Sequence, residues 1–210
     1  SCVDGVCAGF DPTGGKDGFS GKLIGGEQQH QLEKKVVTEM FGIYNLTINR
    51  PSEDYVGLFT TLNPTSEISH MAFFDNTIVG KDYVGSIAGL DEGAVIDSIL
   101  TDTLSISGHN YVGVIAGAKE GGSAKHVYIN PEANVSGKKY VGSFVGSSKK
   151  TFYWNAWSMA RVSGDSYVGG FAGIDSASTY KNIACASHVQ GQSKTGNVMG
   201  ETSKSTFTSV

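Results

Sequence analysis

Asp97 and Asp102 are the acidic residues of this chain whose spacing could support acid–base chemistry. Enzymes that cleave polysaccharides need clustered carboxylates at one face, where one group donates a proton and another acts as base or nucleophile. The chain is repetitive, and Lys125 and Lys181 take the place of Asp97 in other repeats. The neighbouring copies therefore supply no acidic partner, so we expect no catalytic residue and no enzyme activity.

Metal-ligating residues also lack the spacing that a metal site requires. None of the five histidines lies in a His-Glu-x-x-His arrangement, so a zinc peptidase of that kind is not encoded. Three cysteines cannot supply a four-thiolate zinc site. Asp11 and Asp17 have glycines between them but lack the spaced oxygen ligands of a calcium loop, which favours a solvated turn. We expect no metal and no cofactor.

The three cysteines have different expected roles. Cys2 and Cys7 could close a small disulfide loop in an exported protein, or they could remain two free thiols in a mobile end. Cys185 stands at a repeat position where Thr101 and Ile129 stand in other repeats. We therefore interpret Cys185 as a small buried core residue and not as a nucleophile.

An aromatic cluster at residues 152–157 (Phe-Tyr-Trp-Asn-Ala-Trp) is the candidate binding feature. If Tyr153 and Ala156 point inward, Trp157 points outward one repeat away from Tyr128, while Trp154 aligns with Lys125. Exposed aromatic side chains on a rigid face are typical contacts for sugars or proteins. We predict ligand binding by Tyr128, Trp154 and Trp157. The alternative is that both tryptophans pack under a loop or against a neighbouring domain.

These side chains must be positioned by a repeat, which is the strongest pattern in the sequence. A seven-residue phrase, Tyr-Val-Gly-Ser-Ile-Ala-Gly in its clearest copy at residues 83–89, begins at residues 55, 83, 111, 140 and 167, with a degraded copy at 194. The intervals of 28, 28, 29, 27 and 27 residues are too regular for chance and too long for a coiled-coil heptad. The sequence therefore predicts a repeat protein.

Apolar residues at offsets of zero, three and five fill the middle of each repeat, as in Ile96, Ile99 and Thr101. Turn residues separate these segments, so each repeat is predicted to contain three short β-strands. One repeat cannot bury its apolar residues alone, whereas stacked repeats pair each strand with its copy one coil away. We predict an all-β parallel β-solenoid, a right-handed β-helix by default, with about six to seven coils of roughly 28 residues and three short strands per coil.

The shared period predicts one elongated structural domain. We assign residues 1–53 to an N-terminal cap and imperfect first coil, 54–193 to five coils, and 194–210 to a degraded last coil and tail. Within the cap, residues 27–40 are the stretch most compatible with a helix, because Leu32, Val36 and Met40 recur at spacings of four. A short helical cap over the open end of the solenoid and a polar loop both fit this stretch.

Residue size within the seven-residue phrase predicts which side chains face the core. The fifth position is always large and apolar, as at Ile87, so it should point inward together with the residues two and four places before it, Gly85 and Tyr83. Val84 and Ala88 and their copies would then form an apolar strip on the outer face. The opposite parity would expose five tyrosines.

Composition excludes several classes of function. Charged residues make up 17% of the chain and the formal net charge is −4, so nucleic acid is not an expected partner. No apolar run approaches 18 residues, so we expect no membrane span. The sequence begins at Ser1 without a recognisable signal peptide, which favours an excised fragment or a mature form.

The repeat resembles a known family. Residues 169–173 (Gly-Gly-Phe-Ala-Gly), the preceding 164–168 (Gly-Asp-Ser-Tyr-Val) and the opening 19–23 (Phe-Ser-Gly-Lys-Leu) are similar to the GLUG repeat, named for its Gly-Leu-hydrophobic-Gly core, and to the lead-in before such arrays. The resemblance covers roughly residues 19–200 and departs from the family at the fourth position and in the last copy. It implies a non-catalytic module of a large exported bacterial protein, such as a surface adhesin or an immunoglobulin A-directed metallopeptidase.

Two classes of function follow from these observations. The first is a non-catalytic adhesin, stalk or ligand-display module, secreted or on the bacterial cell surface. Its partner would be a host or neighbour-cell surface protein or glycan, or other domains of a larger parent chain. The second is a carbohydrate-binding or carbohydrate-cleaving β-helix module of a secreted enzyme. Ice binding would require regular rows of outward threonines, which the middle strands lack.

Overall fold

The computed structural model describes residues 2–3, 6–7, 18–32 and 35–210, and it describes side chains for residues 18–26 and 41–210. All of its regular elements are β-strands. Those before the first full coil are β1 (Cys2–Val3), β2 (Val6–Cys7), β3 (Lys22–Ile24), β4 (Glu27–Leu32), β5 (Lys35–Met40), β6 (Gly42–Tyr44) and β7 (Thr47–Asn49).

The strands of the repeats continue in chain order to the end of the molecule. They are β8 (Phe59–Leu62), β9 (Glu67–Val79), β10 (Asp82–Val84), β11 (Ala88–Asp91), β12 (Val95–Ser107), β13 (Asn110–Val112), β14 (Ala116–Glu120), β15 (Ser123–Ile129), β16 (Asn134–Ser136), β17 (Lys139–Gly142), β18 (Val145–Lys149), β19 (Phe152–Ser158), β20 (Arg161–Ser163), β21 (Ser166–Gly169), β22 (Ala172–Ser176), β23 (Thr179–Cys185), β24 (His188–Gln190), β25 (Ser193–Gly196), β26 (Met199–Ser203) and β27 (Thr206–Thr208).

These strands stack into three parallel sheets, which form the three faces of a solenoid. The glycine face contains β8, β11, β14, β18, β22 and β26. The long-strand face contains β9, β12, β15, β19, β23 and β27, with β16, β20 and β24 as its continuation. The tyrosine face contains β10, β13, β17, β21 and β25. The predicted parallel β-solenoid is confirmed, with about six turns and a period of about 28 residues.

The number of strands in a coil changes along the stack. In the first two full coils the long-strand face is one strand of 13 residues, β9 or β12, so each of those coils has three strands. In the next coil the chain between β15 and β16 contains Pro131, which has no N–H to donate to the ladder. Strand β12 therefore pairs with both β15 and β16, and later coils keep the division.

A left-handed residue explains why the core positions are three and then two residues apart. Ser98 lies between Ile96 and Ile99 with φ of 55°, and His126 and Asn155 have φ of 51° and 49° at the same place in later coils. One left-handed residue interrupts the alternation of faces, so side chains three apart both point inward. Ile96, Ile99 and their copies are accordingly buried, as predicted.

The predicted parity of the seven-residue phrase was wrong at its first, second and sixth positions. The fifth position is buried as expected, but the residues assigned to an outer apolar strip are also fully buried: Val84, Val112, Val141, Val168, Ala88, Ala116 and Ala172. Tyr83 is half-exposed with φ of 58°, and the chain turns between the tyrosine face and the glycine face before Ala88. Alternation does not carry across a left-handed residue and a corner, so neither parity holds for the whole phrase: the tyrosines point outward, while the second, fifth and sixth positions are buried.

Glycines allow these two faces to approach backbone to backbone. A Cβ on Gly85 would lie 2.6 Å from the Cα atom of Ala116 in the next coil. A Cβ on Gly89 would lie 2.4 Å from the Cα atom of Tyr55 in the preceding coil. Real Cβ atoms do not come this close to backbone atoms, so both positions of the phrase require glycine.

Residues 27–40 are neither a helix nor an unstructured loop. Strands β4 and β5 form an antiparallel pair with Gln28 opposite Glu39 and His30 opposite Val37. Val36, Val37 and Thr38 are β-branched, and this local preference outweighs the helical spacing of Leu32, Val36 and Met40. Elsewhere before the first full coil, β3, β6 and β7 add in parallel to β9. The described residues include no helix long and apolar enough to cross a membrane.

Candidate ligand-binding face

The aromatic cluster lies on the long-strand face, in β15 and β19. Tyr153 and Ala156 of β19 point into the core, as predicted, and left-handed Asn155 lies between them. The three predicted binding residues point outward, with exposed fractions of 39% for Tyr128, 36% for Trp154 and 41% for Trp157. The tryptophans are therefore not packed under a loop of the described chain.

Strand register brings these aromatic rings together in pairs. Tyr128 is the partner of Trp157 in the β15 and β19 ladder, and their ring centroids are 4.5 Å apart with a tilt of 57° between the planes. Trp154 pairs with Lys125 in the same ladder, and its ring lies 5.1 Å from that of His126 at a tilt of 56°. We call Tyr128, Trp154 and Trp157 the aromatic face. Because its rings are tilted, part of each ring surface stays open to a ligand.

A charged group borders the aromatic face, with Lys125 and His126 in the coil next to Trp154 and Asp97 one coil further away. The Asp97 carboxylate lies 2.8 Å from Nδ1 of His126 and 3.4 Å from Nζ of Lys125. Partial burial acts to raise the pKa of Asp97, but the hydrogen bond from His126 and the Lys125 charge outweigh it and hold the pKa below its usual value. Asp97 is therefore a carboxylate that stays ionised and accepts hydrogen bonds.

In the later coils the register places no acid at the position of Asp97, whereas Glu67 of the preceding coil is close enough to interact electrostatically with Asp97. Lys125 is the strand partner of Asp97, as the sequence alignment of repeats predicted. In the next two coils the same position holds Trp154 and then Lys181. Asp102 accepts a hydrogen bond from its neighbour Thr103. Among the residues that the structure describes, no group of three or more His, Cys, Asp or Glu side chains could hold a metal ion.

Sequence reasoning missed two further exposed side chains beside the aromatic face. Phe152 begins β19 and is 37% exposed, and Met159 follows the same strand and is 41% exposed. Phe152 lies two residues before Trp154, so strand alternation could have placed it on the same side. These residues extend the apolar part of the surface along one coil.

A column of outward tyrosines on the tyrosine face was also missed, because these tyrosines were expected to point into the core. The rings of Tyr55, Tyr83, Tyr111, Tyr140 and Tyr167 follow one another at centroid distances of 4.7, 4.5, 4.6 and 4.8 Å. Partial burial, together with neighbouring tyrosines, raises the pKa of Tyr83 and of Tyr111. The rings stack along the solenoid axis, so they present mostly edges and not faces to solvent.

The described part of the chain allows a statement about Cys185 but not about the side chains of the other two cysteines or about Asp11 and Asp17. Cys185 is a half-buried free thiol packed against the core, and burial raises its pKa, which opposes a role as nucleophile. Backbone pairing sets Cys2 opposite Cys7, but their side chains lie outside the described part of the chain, so the disulfide stays a prediction. Asp11 and Asp17 also lie outside the described residues.

Comparison with known proteins supports the fold alone. No protein-family model matches the chain, and no curated protein matches it. A solved structure described as a putative immunoglobulin A1 protease from Bacteroides ovatus is similar to it, with a TM-score of 0.65 and 22% sequence identity. The similarity covers 80% of this chain and 56% of that structure. The chain is thus similar in architecture to a little over half of a larger molecule.

Proposed function

We propose that this chain is a GLUG-like repeat module of a secreted or cell-surface bacterial protein, and that it is a non-catalytic surface for ligand display. The partner we propose is a protein or glycan on a host or neighbouring cell, bound at the aromatic face. The observation that carries the proposal is the outward position of Tyr128, Trp154 and Trp157 on adjacent coils.

The architecture favours recognition on a side surface. The column between the three faces is filled with buried side chains such as Phe144, Tyr153 and Phe171, so the described part of the solenoid offers no central cavity for a ligand. Large exposed aromatic groups are enriched in binding sites because they contribute much apolar contact at little cost in conformational entropy. Strands hold the aromatic face rigidly, which keeps this entropy cost low.

Other domains of a parent chain are a second class of occupant for the same surface. The similar Bacteroides ovatus structure is larger than the matched region, since the similarity covers 56% of its length. In that case the aromatic face would be an interface within one protein, and isolated chains would bind no foreign glycan or protein. The experiment below separates the two outcomes.

A carbohydrate-binding or carbohydrate-cleaving module is the alternative function. The Asp97 and His126 pair beside Trp154 combines hydrogen-bonding groups with an aromatic surface, which suits a sugar. A general acid must hold a proton near neutral pH, whereas the pKa of Asp97 is lowered. We therefore favour binding over cleavage.

The test is a screen of glycan and protein arrays with the purified chain and two variants. Trp157→Ala should reduce any signal of the parent chain, because it removes half of the tilted ring pair. Tyr55→Asn is the matched control, since Tyr55 is also 41% exposed, lies on the tyrosine face and has a left-handed backbone that Asn tolerates. Equal loss in both variants, or binding that survives Trp157→Ala, would remove the aromatic face as the site.

A further inference from the structure

Asp91 and Lys119 form a charged pair inside the solenoid, away from the aromatic face. They are strand partners in β11 and β14 of adjacent coils. Both side chains are fully buried, and the Lys119 Nζ atom lies 2.6 Å from the Oδ2 atom of Asp91. Two charges in a dry environment are costly to hold, so a reaction that removes both charges is favoured there.

The remaining polar atoms of this pair are also held in place. Oδ1 of Asp91 accepts hydrogen bonds from the backbone N–H groups of Gly93 at 2.9 Å and Ala94 at 2.7 Å. The Lys119 Nζ atom donates a second hydrogen bond to the carbonyl oxygen of Ala94 at 2.8 Å. Each oxygen of the carboxyl group therefore has a different environment, with two donors at Oδ1 and the lysine nitrogen at Oδ2.

This arrangement matches the needs of acyl transfer to an amine. A nucleophilic nitrogen lies against the carboxyl group, and two backbone N–H groups point at the oxygen that gains negative charge when the carbon is attacked. Burial lowers the pKa of Lys119, which increases the fraction of neutral amine, although the charge of Asp91 opposes the shift. Proximity of fixed groups supplies a further large rate effect.

We propose that Lys119 and Asp91 condense to an intramolecular isopeptide bond that joins adjacent coils. The site is a modification site formed by the side chains of this chain alone, and it is independent of the ligand proposed above.

The reaction balances without any added reagent. A proton first moves from Nζ to Oδ2 along their hydrogen bond, which leaves a neutral amine beside a neutral carboxyl group. The Nζ lone pair then forms a bond to Cγ, and the Cγ–Oδ1 π electrons move to Oδ1, where Gly93 and Ala94 hold the charge. The electron pair on Oδ1 then re-forms the Cγ=Oδ1 double bond, the Cγ–Oδ2 bond breaks as Oδ2 takes a second proton from Nζ, and Oδ2 leaves as water. The last N–H of the new amide donates to the Ala94 carbonyl.

Trypsin digestion of the purified, denatured chain with mass analysis tests the proposal. Trypsin cuts after lysine, and the sequence has no lysine or arginine between Lys81 and Lys119. A condensed Lys119 resists cleavage, so we expect a peptide of residues 82–125 that is lighter than its sequence mass by one water molecule. A peptide of residues 82–119 with its sequence mass, and no lighter 82–125 peptide, would overturn the proposal.

Two controls test whether the lighter peptide results from a bond between Lys119 and Asp91. Lys119→Met removes the amine and also the cleavage site, so this variant should give the 82–125 peptide with no water lost. Cleavage after Lys125, six residues further along, shows that trypsin reaches this part of the denatured chain. Water loss at another aspartate would leave Lys119 open to cleavage, and such a result also counts against the bond. The parent chain alone decides the outcome, so poor folding of the variant would not obscure it.

Discussion

The ring of Trp157 lies against the ring of Tyr128 in the adjacent coil, with centroids 4.5 Å apart and planes tilted by 57°. The two residues are 29 positions apart in sequence and are direct partners in the parallel ladder. Their contact is therefore set by the repeat, while their outward direction is set by the buried neighbours Ala156 and Val127. The aromatic face depends on strand register and not on a flexible loop.

Tryptophan fluorescence gives a direct check of this arrangement. The chain contains two tryptophans, and both are more than a third exposed. We expect acrylamide to quench most of the fluorescence of the folded chain, and Trp157→Phe to keep the remaining signal accessible. If both tryptophans were shielded in the isolated folded chain, the aromatic face would have to be dropped as a binding site.

Removing the Trp157 ring should weaken ligand binding while leaving the stability of the fold nearly unchanged. Once a ligand is found, Trp157→Ala should weaken its binding by about 1–3 kcal/mol, because central aromatic residues contribute most to such contacts. The same change should lower the free energy of unfolding little, since the side chain is exposed on the folded chain. Isothermal titration and denaturant unfolding measure the two quantities. A large loss of stability with unchanged affinity would identify Trp157 as a packing residue.

Core truncation should destabilise the stack. Val127→Ala or Ile99→Ala should lower the free energy of unfolding by roughly 2–4 kcal/mol, because each removes methyl groups from a filled column and leaves a cavity. Val95→Ala is the control for Val127→Ala, since Val95 is exposed on the same face and should lose well under 1 kcal/mol. Circular dichroism melts or urea titrations measure the difference. Equal stability of the Val127 and Val95 variants would contradict the inward position of Val127.

The close approach of the glycine and tyrosine faces should not tolerate a side chain. A Cβ on Gly113 would lie 2.4 Å from the Cα atom of Val145, so Gly113→Val should destabilise the chain more than Val127→Ala does. Gly85→Val should behave in the same way. Gly121→Asn is the control, because the nearest atom to its Cβ is 3.9 Å away and Asn tolerates the positive φ. Thermal melts of the four variants rank these effects.

The Asp97 ion pairs should make stability depend on pH in the acid range. The pKa of Asp97 is lowered below its ordinary value of 3.8 in the folded chain, so its contribution is present above that value and is lost as pH falls through the folded pKa. The stability difference between the parent chain and Asp97→Asn should therefore shrink as the solution is acidified. Asp102→Asn is the comparison, because Asp102 accepts its hydrogen bond from Thr103. A difference that grows on acidification would reverse the assigned sign.

Repetition made most of the fold predictable, and local backbone geometry limited the rest. Ile96 and Ile99 could be assigned to the core because the same offsets recur in every coil. The outward position of Tyr83 could not be predicted by alternation, since its own left-handed conformation and the following corner break the pattern. The antiparallel pair of β4 and β5 was predicted as a helical cap or a polar loop, because the spacing of four residues was given more weight than the β-branched residues around Val37.

The candidate site could also be predicted only in part from the sequence. Trp154 and Trp157 were placed correctly because buried neighbours in the same strand fixed their direction. The repeat period of 28 residues pairs Asp91 with Lys119, but the burial of both side chains could not be predicted from sequence, since a lysine near a turn is normally solvated. The contact between His126 and Asp97 required both the register and the left-handed conformation of His126.

Stacking in register also determines how the chain responds to a pulling force. Adjacent coils add only about 4.8 Å along the axis, whereas the roughly 28 residues of one coil can extend to roughly 90–100 Å. Unfolding one coil from an end therefore lengthens the chain at that point about twenty-fold, so we expect the array to release length in steps of about one coil under force. An isopeptide bond between Asp91 and Lys119 would prevent the chain between these two residues from extending under force. Single-molecule extension records would then lack one step.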